Sequence, residues 1–486
     1  MRIIAAALLF QLILAAQTPQ QVAGHLTADA LKADVSFLAS DALQGRGTPS
    51  PGLDIAAEFI ASQFRRAGLE PAGDEGYFQT ALYNDVLRVG DPVLLIAKTN
   101  GAEVRANPAM ISVQDPAGLN LPDVTIVRIA ADPDSLNAAT TDQIRGKLLV
   151  LDAPSTPPTG GGRGGAMAIF RQIPALTRLK PAAIVILSAT PAPPYRTPLL
   201  REASAEPTPV LTVWDPDFRA ALDTNPATLW IGIPPPIETP VKLRNVIGLL
   251  RGSDSRLKDT YLLLTAHYDH LGLRIASPGD DHIFNGANDD ASGTASVIEI
   301  ANALARLPER PKRSIIFTAL YGEELGDLGS RYYAQHPVFP LARTMADINL
   351  EQLGRTDDTQ GPHVGMFNIT GFDYTNIPAL LTKGADSVGI RVVNDEKNSG
   401  PYFTRSDNAA FAAAGVPSTT LSVAYDFPDY HKAGDEWPKL DYDNMAKVDL
   451  AIALATLDMA NSDSVPQWAA NPATARFRKA REEGTK

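Results

Sequence analysis

The chain has 486 residues, 44% of them hydrophobic and none of them cysteine, with 43 Lys+Arg against 55 Asp+Glu and a formal net charge of -12. That length and apolar content can bury more than one core, so more than one folded unit is expected. The acidic balance and the lack of a dense basic run argue against a nucleic-acid partner, and the missing cysteines exclude disulfides, thiolate metal ligands and a cysteine nucleophile.

At the start of the chain, Arg2 precedes an apolar run, 3–16, broken only by Gln11 and followed by polar Gln17-Thr18. The run is too short for a comfortable membrane span and no later run is long enough, so residues 1–16 read as a secretory signal. An exported protein, periplasmic or secreted, with no span in its mature form is the expectation. Residues 31–40 and 53–67 carry apolar side chains at helical spacing, among them Ile55, Phe59, Ile60 and Phe64. Gly68 is placed to stop the second helix, and 43–52 between them is rich in turn residues.

Over 101–243 short β-rich runs, 124–129, 147–151, 182–188 and 210–213, alternate with proline- and glycine-rich breaks. This texture predicts an inserted β-rich unit, left through the stiff Pro234-Pro235-Pro236. Downstream, over 244–465, strand-like runs at 261–266, 314–320 and 346–350 alternate with helical segments at 292–307 and near 330–335. Such alternation predicts an α/β sheet covered on both faces, with ligand sites beyond the C-terminal ends of the strands. The tail, 466–486, has mixed charge and few apolar residues and reads as frayed or as one exposed helix.

The chemistry-bearing residues lie at those strand ends. His267 follows Leu262-Leu263-Leu264, and Asp269 two residues on would share its face in extended chain, able to hold the imidazole tautomer that frees a nitrogen for metal. Asp289 and Asp290 lie between Gly286 and Ser292-Gly293, in a tight loop feeding a helix, and one carboxylate there can bridge two cations. Of Glu323 and Glu324, after the run 314–320, one can bind metal while the other serves as general base. Glu351 and His431 would add one ligand to each ion, giving two imidazoles and three carboxylates. The remaining histidines, His25, His270, His282, His336 and His363, read as surface or capping groups; His270 and His282 lie near the expected cleft and could line it, but are left out of the site. A His-Glu-x-x-His motif, a Gly-x-Ser-x-Gly elbow and a Walker sequence are all missing, and the glycine run 160–165 reads as a loop.

Over roughly residues 30–460 the sequence resembles the M28 family of zinc peptidases, which includes bacterial aminopeptidases and is similar to glutamate carboxypeptidase. The likeness rests on His267-x-Asp269, Gly286-Ala287-Asn288-Asp289-Asp290-Ala291-Ser292-Gly293, Glu323-Glu324-x-Gly326, Asn349-Leu350-Glu351 and His431. It implies a phosphorylase/hydrolase-like three-layer α/β sandwich with a mixed sheet, begun by residues 17–100 and completed by 244–465. It implies two zinc ions per chain, one held by His267, Asp289 and Glu351 and the other by Asp289, Glu324 and His431. Glu323 would then be the general base toward a water shared by the ions, Asp269 would orient His267, and the Asp289–Asp290 peptide would be cis. The insertion, at 144–150 and 182–187, resembles a protease-associated (PA) domain. Two positions depart from the family: Glu351 where Asp is frequent, and Asn408 where Ser-Asp-His is frequent. The expected activity is hydrolysis of N-terminal residues from peptides; a metallo-carboxypeptidase using Arg405, or a non-catalytic binding protein on the same scaffold, are the alternatives.

Overall fold

Strands that are apolar on successive residues must be covered on both faces, and the chain builds its largest sheet from such runs. The computed structural model describes residues 19–484 except 88–92, 100–101, 154–171, 192–198, 225 and 227. The expected signal at 1–16 and the glycine run 160–165 lie outside the described residues. Contacts divide the chain into two units, Met1–Ala81 with Lys242–Lys486, and Leu82–Val241.

In the first unit the strands that carry the site are β1 (Ile237–Leu250), β2 (Tyr261–His267), β3 (Ser314–Leu320), β4 (Thr344–Leu350), β5 (Met366–Ile369), β6 (Arg391–Val393) and β7 (Ser418–Ser422). They lie in the order β6-β5-β7-β4-β2-β3-β1. The central strands β7, β4, β2 and β3 run parallel, whereas β1 and β5 run antiparallel to their neighbours β3 and β7, so the sheet is mixed.

Every residue of β2 and β3 is buried. Tyr261, Leu263, Ile316 and Leu320 pack with Tyr333 and Phe411, which come from helices on one side of the sheet, described below. Alternate residues face the other side. Helices of the unit include α1 (Ala28–Leu38), α2 (Pro51–Ala67), α3 (Gly293–Ala305), α4 (Leu328–Gln335), α5 (Asn408–Ala413), α6 (Tyr442–Asn461) and α7 (Ala475–Gly484). Tyr333 belongs to α4 and Phe411 to α5, while α3 lies against β2, β3 and β4 and is itself wrapped by α1, α2 and α6. The result is an α/β fold of three layers.

Local chemistry sets the ends of α2. Ser50 accepts a hydrogen bond from Leu53 N at 3.1 Å, Pro51 occupies the first turn, and Gly68 closes the helix at φ 76°. Helix α7 does not fray: Phe477 is buried with Phe403 and Ala412, and Arg481 Nη1 donates to the carbonyls of Leu341 and Thr344 at 2.9 and 3.0 Å. No helix among the described residues is long and apolar enough to cross a membrane.

The second unit holds an eight-stranded sheet in which Leu119–Ala130, Leu148–Asp152, Ala183–Leu187 and Val210–Val213 pair in parallel. It begins at Leu82, earlier than the expected residue 101, because the strand Leu94–Thr99 pairs with Thr228–Ile233 of the same unit.

One buried carboxyl in the first unit carries a pH dependence. Asp449 on α6 is fully buried; its Oδ2 accepts from Ser296 Oγ at 3.0 Å, and its Oδ1 has no hydrogen-bond partner among the described residues. Burial pushes this carboxyl from 3.8 up to about 8, with Glu299 adding to the rise and the Ser296 bond opposing it. A raised folded-state value means that the contribution is complete below 3.8 and is lost as the pH climbs toward 8. Asp449→Asn, neutral at any pH, is therefore expected to stabilise the protein by on the order of 5 kcal/mol at about pH 8 and to change little at about pH 4. Chemical unfolding at the two pH values checks this, and equal effects at both would contradict a protonated Asp449.

Candidate metal centre

The chain delivers its chemistry where β2, β3 and β4 end. His267 is the last residue of β2; Gly322, at φ 70°, turns the chain after β3 into the short turn Glu323–Leu325; and Glu351 directly follows β4. Asp289 and Asp290 lie in the irregular turn Ala287–Ser292 that opens α3, with a cis peptide between them. His431 comes from the loop after β7, at φ 54°.

These residues converge. His267 Nε2 is 3.2 Å from Asp289 Oδ1, and donor atoms of His267, Asp289 and Glu351 all lie within 4.8 Å of one another. On the other side of Asp289, His431 Nε2 is 3.2 Å from Oδ2 and 3.3 Å from Glu324 Oε1. The two oxygens of Asp289 thus face two separate imidazole–carboxylate groups.

The short contacts lack hydrogen-bond alignment. His267 Nε2 and Glu324 Oε1 are buried and have no hydrogen-bond partner among the described residues. Orphaned lone pairs that approach this closely are costly in isolation and are satisfied by a cation between them, so the residues present fit a pair of divalent ions.

The electrostatics agree. Burial raises the Glu351 carboxyl to about 7, with Asp289 and Glu324 adding to the rise and His267 opposing it. Burial likewise pushes Glu323 well above its ordinary range, reinforced by Glu351 and Glu324 against His267. Burial and Asp289 also act to raise Glu324, but His270 and His431 outweigh them and leave it at about 2. Crowded buried carboxylates call for positive charge beside them.

The run Asn285–Ser292 is held in place almost residue by residue. Asp290 Oδ1 accepts from Gly293 N at 2.9 Å and Gln352 N at 3.1 Å, which ties the loop to the end of β4 and gives Asp290 a different task from Asp289. Asn288 Oδ1 accepts from Gly354 N and Arg355 N, both at 2.8 Å, and Thr294 Oγ1 donates to the His267 carbonyl at 2.7 Å. Asp435 Oδ2 accepts from Asn288 N and Asp289 N, each at 3.1 Å.

Arg46 is buried with no exposed surface. Its guanidinium donates to the carbonyls of Tyr268 at 2.7 Å, Asn285 at 2.7 Å and Gly286 at 3.0 Å, and also to that of Leu38. One side chain therefore staples the segment after His267 to the loop before Asp289. Burial lowers its pKa to about 10, and Asp269, Asp290, Asp435 and Asp289 oppose the fall, so the group stays charged.

Asp269 lies beside the His267 ring and also ties the turn after β3 to this segment. His267 Nδ1 is 3.2 Å from the Asp269 main-chain oxygen and 3.6 Å from its carboxylate Oδ1. The carboxylate accepts instead from Glu323 N and from Thr48 Oγ1, both at 3.1 Å.

Sequence reading left out three residues that the fold brings to the centre: Arg46, Asp435 and His270. Nothing periodic marks the first two. His270, expected as a surface or capping group, is 1% exposed with Nδ1 2.8 Å from Glu324 Oε1; its adjacency to His267-Tyr268-Asp269 was the available signal. Asn408 is buried among structural partners, donating to the Phe403 carbonyl at 2.9 Å and accepting from Thr420 Oγ1 at 2.8 Å. Arg405 is exposed and lies over the Tyr402 ring, 4.4 Å from its centroid.

Residues 245–456 match peptidase family M28. A probable zinc metalloprotease from Pyrenophora tritici-repentis is 33% identical over 207 residues, 42% of this chain and 44% of the relative. One from Pyricularia oryzae is 38% identical over 213 residues, 43% of this chain and 40% of the relative. A probable glutamate carboxypeptidase from Arabidopsis thaliana is 28% identical over 207 residues, 40% of this chain and 27% of the relative. The chain spans about half the length of the curated relatives it matches, or less. Among solved structures, an aminopeptidase from Aneurinibacillus sp. strain AM-1 shares the fold, with a TM-score of 0.53 at 18% identity over 90% of this chain and 95% of that one. With the strand ends, the clustered donors and the match over residues 245–456 in agreement, the chain carries a domain of peptidase family M28.

Proposed function

We propose that the protein is a zinc-dependent exopeptidase, an aminopeptidase that removes N-terminal residues from peptides with two zinc ions bound. His267, Asp289 and Glu351 would hold one ion, and Asp289, Glu324 and His431 the other. The observation that carries this reading is the division of Asp289, whose Oδ1 faces His267 at 3.2 Å while its Oδ2 faces His431 at 3.2 Å.

Zinc bound there would polarise the scissile carbonyl and lower the pKa of a water molecule. Glu323 takes the proton from the attacking water and passes it to the leaving amine. Its backbone N–H, anchored on Asp269 Oδ1 at 3.1 Å, fixes the turn that separates it from Glu324. Adjacent glutamates thereby serve different ends, one toward substrate and the other toward metal.

Names of the relatives and of the structural neighbour support peptidase chemistry and zinc. The carboxypeptidase alternative needs a cation for the substrate carboxylate; the candidate, Arg405, is exposed and stacks on the face of Tyr402, 4.4 Å from its centroid. A non-catalytic binding protein would have no use for a complete donor set beside Glu323. The unit Leu82–Val241 is read as PA-like, supported by its parallel strands at Leu148–Asp152 and Ala183–Leu187. A signal at 1–16 would place the activity outside the cytoplasm.

Hydrolysis of free-amino dipeptides, compared with N-blocked and C-blocked forms by the zinc-loaded protein, tests the reading. Cleavage of free-amino and C-blocked forms alone is expected. Cleavage of the N-blocked form in preference would transfer the assignment to a carboxypeptidase.

A further inference from the structure

We propose that His270 Nδ1 is a direct ligand of the cation on the Glu324 side of Asp289, so that this half of the centre has four protein donors where the His267–Glu351 half has three. The proposal rests on the two-cation reading above and adds an imidazole to it.

Both ring nitrogens of His270 are buried without a hydrogen-bond partner among the described residues. A buried imidazole left in that state forgoes the hydrogen bonds it would make in water. Yet Nδ1 is only 2.8 Å from Glu324 Oε1 and 3.9 Å from Asp289 Oδ2. The ring N–H axis is not aimed at that oxygen, and Glu324 Oε1 is itself unpartnered. Two donors that each lie about 2.0–2.2 Å from one ion point at the ion rather than at each other, which produces a short nitrogen–oxygen contact without hydrogen-bond alignment. The same signature marks His267 against Asp289.

The ring is also fixed from behind. A Cβ at Gly286 would lie 2.3 Å from His270 Cγ, so only glycine, here at φ 59°, lets the Asp289 loop lie against the imidazole. His270 N donates to the Arg46 carbonyl at 3.3 Å, and the ring meets His431 edge-on with centroids 5.7 Å apart. His431 has a 37% exposed side chain. His270 is then the protected imidazole of that half and His431 the open one.

The competing role is an outer one, in which Nδ1–H donates to Glu324 and touches no metal. His270→Ala removes both roles, whereas His270→Asn keeps an N–H donor but supplies a poor ligand. Metal-free wild type and both variants, checked for native circular dichroism, are titrated with Co2+ by calorimetry and by visible absorption. Two binding events are expected for the wild type. Both variants are expected to weaken one event by about a hundredfold, to leave the other unchanged, and to intensify the d–d band of one cobalt as its coordination number falls. Wild-type affinity and spectrum in His270→Asn would overturn the proposal in favour of the outer role, and so would unchanged binding in His270→Ala. Failure of the wild type to bind two cations would instead remove the two-cation reading beneath it.

Discussion

Glu323→Gln is expected to retain its metal and to lose at least about a hundredfold in turnover on aminoacyl-anilides, the usual scale for removing a general base. The substitution preserves length and shape, so the turn Glu323–Leu325 and the bond from residue 323 N to Asp269 Oδ1 remain. What is lost is the capacity to accept a proton. Glu324→Gln is the informative contrast: Glu324 Oε1 is within 3.3 Å of both His270 and His431, so there the metal content itself should fall. Turnover together with plasma mass spectrometry of the purified proteins separates the two effects. Wild-type turnover in Glu323→Gln would show that another group takes the proton.

Arg46→Met is expected to be the most damaging change outside the ligand set. It keeps the side-chain stem but strips the guanidinium from the carbonyls of Leu38, Tyr268, Asn285 and Gly286. Each buried carbonyl left without a donor costs about 1–3 kcal/mol, and bonds to a charged donor are the stronger kind. Relief of the guanidinium's own desolvation offsets part of the loss, which leaves a net destabilisation on the order of 4 kcal/mol in denaturant unfolding of the metal-free protein. Metal affinity should fall as well, because the stapled segments carry His267 and Asp289. Arg46→Lys keeps the charge but not the fork, and should recover only part of both. A loss under about 1 kcal/mol in Arg46→Met would mean that the loops hold each other without it.

The parts of the fold legible in the sequence are those whose burial is written in apolar side chains. Strands β2 and β3 stand out as mostly apolar runs because both of their faces are covered, whereas β4 carries Asp347 and Asn349 among its apolar residues. Strand β7 does not stand out, since Ser418-Thr419-Thr420-Leu421-Ser422 reads as a polar stretch. Its burial depends on partners that only the fold supplies: Thr419 Oγ1 donates to the Thr370 carbonyl at 2.6 Å and Thr420 Oγ1 to Asn408 Oδ1 at 2.8 Å.

The candidate centre divides in the same way. His267, Asp289 and the Glu323-Glu324 pair were legible because each lies at the end of a strand or the start of a helix, where side chains gather. Asp435 comes from a loop with no periodicity, and Arg46 reaches the centre from a turn more than 200 residues before the loops it holds. Such long-range hydrogen bonds leave no local trace. His270 lies three residues past His267, beyond the end of β2, and only the fold shows that its buried ring comes within 2.8 Å of Glu324 Oε1.

The claim on which the rest depends is that Asp289 is shared between two cations. Anomalous diffraction at the zinc edge from crystals of the zinc-loaded Glu323→Gln protein measures this directly. Two peaks are expected, one between His267 and Glu351 and one between Glu324 and His431, each within ligand distance of its own oxygen of Asp289. A single peak, or peaks that leave Asp289 uncoordinated, would contradict the account.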